Sequence, residues 1–564
     1  MDADLSRRDL LGRALAVGAG AVLLPAIQAP AAAADEATET ARGIVFDDDA
    51  GTGKRSAGSK GIEGVLVSNG RDVVRTDAAG KYALPVKDGD VIFVIKPAGW
   101  MTPLNEYNLP TFYYFHRPAG SPQWKPKNWQ DLDPIWFYKG SKPTGPLPAS
   151  IDFPLRRREE LDEFKVVIFG DTQISHDRQI EWMSRDTLAE LVGTSGVAFG
   201  LSLGDLVNVG LCYLFEPLNQ MQAKTGFPWY VVPGNHDQNL VTPNDELADE
   251  QFRSVYGPTT YAFEYGPVSF LMIENIMRRP FSKLSEPATQ PATGRPAGDD
   301  YGCGLREDQW QFVENYLKTV PKDRQLVLCM HIPLTGEGAD EKAFAKRLLG
   351  LLNGRPHTLS MSGHTHIQRH SFLGADRGFA GPGTHHHFNS ICVRGDGYRG
   401  MFDELRIPTC QACDGTPNGY SFITFTKTGY AIRYKPSRQP TDYQMNVFVP
   451  PRIKSKNVTT TAVQANVFAG SERSVVRMRV NGGSWQPMKL TPQFDPSITW
   501  VLEAQNKPES WLGSKYTHSD APQSFHIWEA EIGTKIPVGT HVLEVESQDM
   551  FGQVDHATTL FRVV

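Results

Sequence analysis

The spacing of hydrophobic residues changes twice along this chain. From Arg42 to about Tyr138 short apolar runs are broken by turn residues: Val65-Leu66-Val67 before Ser68-Asn69-Gly70, Val73-Val74 before Asp77-Ala78-Ala79-Gly80, then Tyr82–Val86 and Val91–Ile95. Runs of this length, bounded by Gly, Asp and Asn, predict β-strands. The stretch therefore reads as a small all-β sandwich over residues 40–150, left through the Pro- and Gly-rich run Lys139–Pro148. It holds no cluster of titratable residues, which points to packing or attachment rather than chemistry. Between about Phe153 and Pro436, strand-length runs alternate with helical periodicity over Asp177–Val192, Tyr213–Ala223, Leu305–Val320 and Asp340–Leu352. After about Gln444 the β pattern returns. Val475–Val480 leads into Asn481-Gly482-Gly483, and His541–Glu546 alternates apolar with polar before the turn at Phe551-Gly552, which predicts a second all-β sandwich over 445–564.

The alternation in the middle predicts an α/β catalytic domain over 155–440, with ligands gathered beyond the carboxyl ends of its strands. Five apolar runs end on polar groups. They are Phe164–Gly170 before Asp171, Ala198–Leu203 before Gly204-Asp205, Trp229–Val232 before Pro233-Gly234-Asn235-His236-Asp237, Gln325–Met330 before His331, and Leu359–Ser362 before Gly363-His364-Thr365-His366. All five sets are expected to converge on one crest. The segment Arg278–Gly304 is too long and too aperiodic for a connection alone, and reads equally as a flap over that crest or as a surface insertion.

At 564 residues the chain exceeds one hydrophobic core. Its formal charge of −6 disfavours a nucleic-acid polymer as partner. Ser6-Arg7-Arg8-Asp9-Leu10-Leu11, the soft apolar segment Ala14–Ile27 and Ala32-Ala33-Ala34 resemble a twin-arginine signal peptide over residues 1–34. With no Cys before Cys212 and no later apolar stretch of membrane length, the expectation is an exported soluble protein, periplasmic or extracellular, without a membrane span. The six cysteines are too few and scattered for a disulfide scaffold. Cys410-Gln411-Ala412-Cys413 reads as a local disulfide or as free loop thiols, and Cys329 as a packed strand residue.

Ten of the 15 histidines fall between His176 and His387, and those at strand ends come with carboxylates. Asp, Asn and His without thiolate suit Mn, Fe, Zn or Mg at an open hydrolytic site rather than a closed structural zinc. The ordered blocks Asp171-Thr172-Gln173, Gly204-Asp205, Gly234-Asn235-His236-Asp237, His331 and Gly363-His364-Thr365-His366 resemble the signature of calcineurin-like metallophosphoesterases. The flanks are similar to the β-domains beside this unit in some secreted bacterial members. The resemblance implies a four-layer α/β/β/α sandwich between two small all-β sandwich domains, with two divalent ions as cofactors. It places Asp171, Gln173 and His366 on the first metal, Asn235, His331 and His364 on the second, Asp205 between them, and His236 as the acid. It further implies hydrolysis of a phosphodiester or phosphomonoester by a hydroxide that two ions about 4 Å apart acidify and share, and the expected export, which would bring the enzyme to extracellular diesters, favours the diester. The alternative is a metal-holding protein that binds wall glycans without turnover.

The first block departs from the family's usual Asp-x-His. An amide oxygen at Gln173 is a weaker, harder donor than imidazole, which loosens the first site and favours Mn or Fe, with Zn possible. His176 could instead replace it, or Gln173 could stand behind the ligands. Asp237 either orients His236 as part of the catalytic pair or only accepts structural hydrogen bonds. Asn208 is placed to meet a substrate oxygen. His385-His386-His387 reads as a solvated loop, with His386 as a candidate substrate contact, while His357 and His370 read as surface or packing residues. Arg278-Arg279 could bind phosphate or be solvated. The natural substrate, wall-derived or otherwise extracellular, is not written in these motifs, and neither is the oligomeric state.

Overall fold

Two sheets carry the middle of the chain. The first runs, in spatial order, Trp229–Val231, Val197–Ser202, Phe164–Phe169, Gly419–Phe425 and Tyr430–Pro436, its first three strands parallel and the last two added antiparallel. The second runs Tyr261–Tyr265, Val268–Ile273, Gln325–Met330, Thr358–Ser362, His385–Asn389 and Arg369–Leu373, with the middle four parallel. The computed structural model that shows this describes residues 39–124, 140–208, 210–279, 289–290, 295–296, 301–505 and 522–564. The signal peptide expected over residues 1–34 lies outside them, as does much of the 278–304 segment.

Side-chain alternation in Phe164–Phe169 shows why the layers form. Phe164, Val166 and Ile168 turn to the second sheet, where the rings of Phe164 and Phe199 meet Phe270 at 6.4 and 5.3 Å. Val167 and Phe169 turn the other way and join Met183 of helix Asp177–Asp186 and Phe215 and Leu218 of helix Phe215–Gln222. Helices Glu307–Thr319 and Ala339–Leu351 connect parallel neighbours of the second sheet, so right-handed crossovers place both on its outer face. The result is the helix, sheet, sheet, helix order expected. The four helices fall where the periodicity put them, the first followed by one short 3-10 turn and the second flanked by two.

β-structure flanks this unit on both sides. The N-terminal part holds two four-stranded sheets. Phe153–Arg157, which comes after the Pro-rich run, returns to the first of them by pairing parallel with Glu39–Asp47. This part is docked on the catalytic layers by Phe93 against Phe312 at 5.5 Å and by a buried ion pair between Arg117 and Glu250 at 2.5 Å. At the other end, sheets of four and five strands enclose a core of Val463, Met478, Trp528, Val545 and Phe561. Among the described residues no helix is long and apolar enough to cross a membrane. Cys212, Cys303, Cys329, Cys392 and Cys410 are free thiols, and Cys329 is fully buried.

The histidine run corrects the sequence reading. His385, His386 and His387 form a buried strand rather than a solvated loop. Each ring is accommodated because its nitrogens are bonded. His385 sits between Thr358 Oγ1 at 2.9 Å and Ser360 Oγ at 2.7 Å, and His387 between Ser360 Oγ at 2.7 Å and Ser362 Oγ at 3.0 Å. His386 meets the Tyr430 hydroxyl at 2.7 Å and His370 Nδ1 at 2.9 Å. Burial pushes the pKa of His370, His385 and His387 down to about 3, and that of His386 well below the usual value. An unfolded histidine protonates near 6.5, so as pH falls through that value the unfolded chain takes up protons that the folded one refuses. Each such ring therefore removes about 1.4 kcal/mol of stability per pH unit on the way from 6.5 toward 3. The melting temperature is expected to fall steeply below pH 6.5. His385→Gln should flatten that slope by about one proton's worth in calorimetry between pH 6 and 4, and an unchanged slope would contradict the assignment.

Candidate metal centre

Three of the five strand ends, those leading to Asp171, Asp205 and His364, deliver their polar groups through sharp turns, and the backbone records the constraint. Gln173, Asp205, His364 and His366 have φ of 41°, 49°, 73° and 55°, which makes them half of the eight non-glycine residues with positive φ among the described residues. Such residues cost of order 1–3 kcal/mol each and persist where the surroundings over-determine them. Glycines supply the room. A Cβ on Gly204 would lie 2.6 Å from His331 Nδ1, one on Gly234 would lie 2.0 Å from Asp205 Oδ1, and one on Gly363 would lie 2.5 Å from Asp171 Oδ2.

The donors meet around one imidazole nitrogen. His331 is fully buried, and its Nδ1 lies 2.8 Å from the Leu203 carbonyl, to which it donates. That bond turns Nε2 inward as a lone pair. Around Nε2 stand Asn235 Oδ1 at 3.1 Å, His364 Nδ1 at 3.2 Å and Asp205 Oδ1 at 3.3 Å, with Asp171 Oδ1 at 4.0 Å. Asp171 Oδ1 in turn lies 3.6 Å from His366 Nε2, whose Nδ1 is 4.0 Å from Asp396 Oδ1. Asp171, Asp205 and His331 each offer a donor atom within 4.8 Å of the others.

Lone pairs converging from this many buried groups require a shared cation or proton. Without a metal the imidazoles serve. Burial lowers the pKa of His331, but the Asp205 and Asp171 carboxylates outweigh it and raise it to about 9. His364 goes the other way, to about 4, through burial and the charge on His331. Burial raises Asp205 and Asp171, yet the surrounding imidazoles hold Asp205 well below the usual carboxylate range and Asp171 below it. The set is all oxygen and imidazole nitrogen. The nearest thiol, Cys392, is kept protonated by burial and donates to the Asp171 carbonyl at 2.8 Å. These residues fit hard or borderline divalent ions.

The structure thus brings Asp171, Asp205, Asn235, His331, His364 and His366 together. Gln173 joins them through its amide Nε2, which donates to Asp205 Oδ2 at 2.8 Å. His176 does not: it is exposed at the start of helix Asp177–Asp186, its ring 5.9 Å from that of Trp182. His236 stands at the rim, its side chain 18% exposed, with its backbone N–H bonded to Asp205 Oδ1 at 2.9 Å and Nε2 3.8 Å from Oδ2. The Asp237 carboxylate is buried and accepts the amides of Leu206, Val207 and Gly234 at 3.0, 3.0 and 2.8 Å, so it ties the second and third strand ends together. Burial and the charge of Asp205 raise its pKa to about 7. Asn208 is half-buried and donates to Ser175 Oγ at 2.9 Å. His386 is withdrawn from the donors, both of its ring nitrogens being taken by Tyr430 and His370.

Asn389 and Arg394, also beside the centre, carry no signal in the sequence that singles them out. Asn389 donates to Thr365 Oγ1 at 2.8 Å and to the Ile367 carbonyl at 2.6 Å, clamping the turn that carries His364 and His366, while its Oδ1 accepts from Ser362. Arg394 is buried and donates to Gln173 Oε1. Both belong to the end of the strand His385–Asn389 or the turn after it, a sixth strand end hidden by its histidines. Arg278 is buried and donates to the Asn235 carbonyl at 3.0 Å, whereas Arg279 is exposed. The described ends of the 278–304 segment pair as Ile276–Arg278 with Tyr301–Cys303, which sets the Tyr301 ring 6.1 Å from His364.

The family model described as Calcineurin-like phosphoesterase matches residues 164–368, which include Asp171, Gln173, Asp205, Asn235, His331, His364 and His366. Models for the N terminal and C terminal of Calcineurin-like phosphoesterase match residues 49–126 and 387–554. Among solved structures, purple acid phosphatase PPD1 from yellow lupin (Lupinus luteus) seeds is similar at 12% identity, covering 66% of this chain and 67% of its own, with a TM-score of 0.31. A comparison with curated proteins gives no match.

Proposed function

This chain belongs to the calcineurin-like phosphoesterase family, and from that premise we propose that it is an exported hydrolase of phosphate esters, acting on diesters in preference to monoesters. The observation that carries the chemistry is the convergence of Asp205, Asn235 and His364 on His331 Nε2, with Asp171 and His366 adjoining. Two divalent ions held there would supply Lewis acidity at the phosphoryl group and a nucleophile at neutral pH. Mn or Fe suits this oxygen-rich set, with Zn possible.

The chain's own residues do the rest. Asp205 stands between the two groups of donors as the charged member common to both. Asn235 contributes an oxygen without adding negative charge against a phosphate. The Leu203 carbonyl fixes the His331 tautomer, and Asn389 fixes the turn that bears His364 and His366. His236, partly exposed beside Asp205, is placed to hand a proton to the departing oxygen. The preference for diesters rests on the expected export, which would expose the enzyme to extracellular phosphodiesters such as wall polymers or lipid head groups.

His236 gives a test that separates catalysis from ligand binding. General acid catalysis contributes roughly 10²–10⁴-fold where the leaving group needs a proton. His236→Ala should therefore lower kcat by about that factor on a diester with an alkyl leaving group, and far less on bis(p-nitrophenyl) phosphate, whose leaving group departs without one. Equal losses on both, or no metal-dependent turnover of either, would remove His236 from this role.

A further inference from the structure

Gln173 is buried at the heart of the centre, and the atoms on either side of it decide which way its amide points. A guanidinium has no lone pair, so the atom that meets Arg394 Nη2 must be the amide oxygen Oε1. The amide nitrogen is then left to Asp205 Oδ2, to which it donates at 2.8 Å. The one atom of Gln173 able to ligate a cation is thereby engaged by a fixed cation. His176, the other residue that could have filled the place, is exposed and packed on Trp182.

The two halves of the centre are consequently unequal. Asp205, Asn235, His331 and His364 surround one position, whereas Asp171, His366 and a share of Asp205 are left for the other. Arg394 adds a charge on the poorer side. It is 5% exposed, forms no ion pair among the described residues, and leaves its Nε without a partner. Its positive charge works directly against a second cation in a poorly screened interior.

We propose that Arg394 withholds the Gln173 oxygen from coordination, so that the centre binds one divalent ion tightly and the other weakly and exchangeably. Arg394 is on this account a positioning residue that sets metal occupancy, and the enzyme takes its second ion from its surroundings. The inference rests on the metal-dependent reading of the site under Proposed function.

Equilibrium dialysis of the full chain against Mn²⁺, with metal analysis and electron paramagnetic resonance, tests it. Wild-type protein should take up two ions in steps about 100-fold apart in affinity, with a spin-coupled signal arising only in the second step. Arg394→Met should tighten the second step roughly 10–100-fold, the range by which residues behind metal ligands tune affinity. Gln173→Ala, which removes the oxygen outright, should leave the second step within a fewfold of wild type, and it decides the matter even if Arg394→Met fails to fold. Two equal steps, or a tenfold or greater weakening of the second step in Gln173→Ala, would overturn the inference while leaving the hydrolytic reading intact. No Mn²⁺ uptake at all would overturn both.

Discussion

Asp205→Asn is expected to lower hydrolysis of bis(p-nitrophenyl) phosphate by roughly a thousandfold while leaving the fold in place. The side chain is fully buried, sits at φ 49°, and accepts from the His236 amide at 2.9 Å and from Gln173 Nε2 at 2.8 Å. Asparagine has the same shape, so the turn survives. One of its terminal atoms becomes a donor, however, facing either Gln173 Nε2 or the His236 N–H, and the charge that draws a cation from both sides is gone. Stabilisation of transition-state charge by bound metal is worth several kcal/mol, and at about 1.4 kcal/mol per decade that corresponds to roughly three orders of magnitude. Metal content should fall in the same variant, with an unaltered far-ultraviolet circular dichroism spectrum. A variant that keeps a tenth or more of wild-type activity with full metal content would show that Asp205 is not the shared ligand.

Much of this centre was legible because of a single geometric rule. Parallel strands deliver their carboxyl ends to one edge, so five apolar runs ending on Asp171, Asp205, Asn235, His331 and His364 could be placed on one crest from the residues alone. Where that rule needed the strand itself to look apolar, it failed. His385-His386-His387 carries no hydrophobic signature, and only the register of Ser360 against His387 and Ser362 against Asn389 shows that hydroxyls on the neighbouring strand satisfy the rings. With that strand hidden, Asn389 at its end and Arg394 and Asp396 in the turn beyond it were hidden too.

Other positions left open by the sequence have the same origin, since a partner far along the chain settles what a residue does. Asp237 comes directly after His236, yet its carboxylate belongs to amides about 30 residues earlier. Arg278 looked like half of an exposed pair until the Asn235 carbonyl claimed it. Phe153–Arg157 has the length of any strand, and its return to the N-terminal sheet depends on Glu39–Asp47. Gln173 is the doubtful position from sequence because it stands where the family's first block usually has His, and an amide oxygen is the weaker donor. It took Arg394, 221 residues downstream, to fix which end faces the metals.

Removal of metal carries the other large effect and tests the central claim most directly. Buried carboxylates that face imidazoles across 3–4 Å are organised for cations, so a ligand that binds only the folded chain should both stabilise and activate it. At a metal concentration 100 times the dissociation constant the stabilisation is about 2.7 kcal/mol, which should appear as a rise in melting temperature on reloading. The decisive measurement is the hydrolysis rate of bis(p-nitrophenyl) phosphate by protein stripped with chelator, dialysed, and then titrated with Mn²⁺ or Fe²⁺. The account predicts no turnover above background in the stripped protein and recovery that tracks metal uptake. Full activity in metal-free protein, or none on any phosphodiester or phosphomonoester once metal is bound, would contradict it.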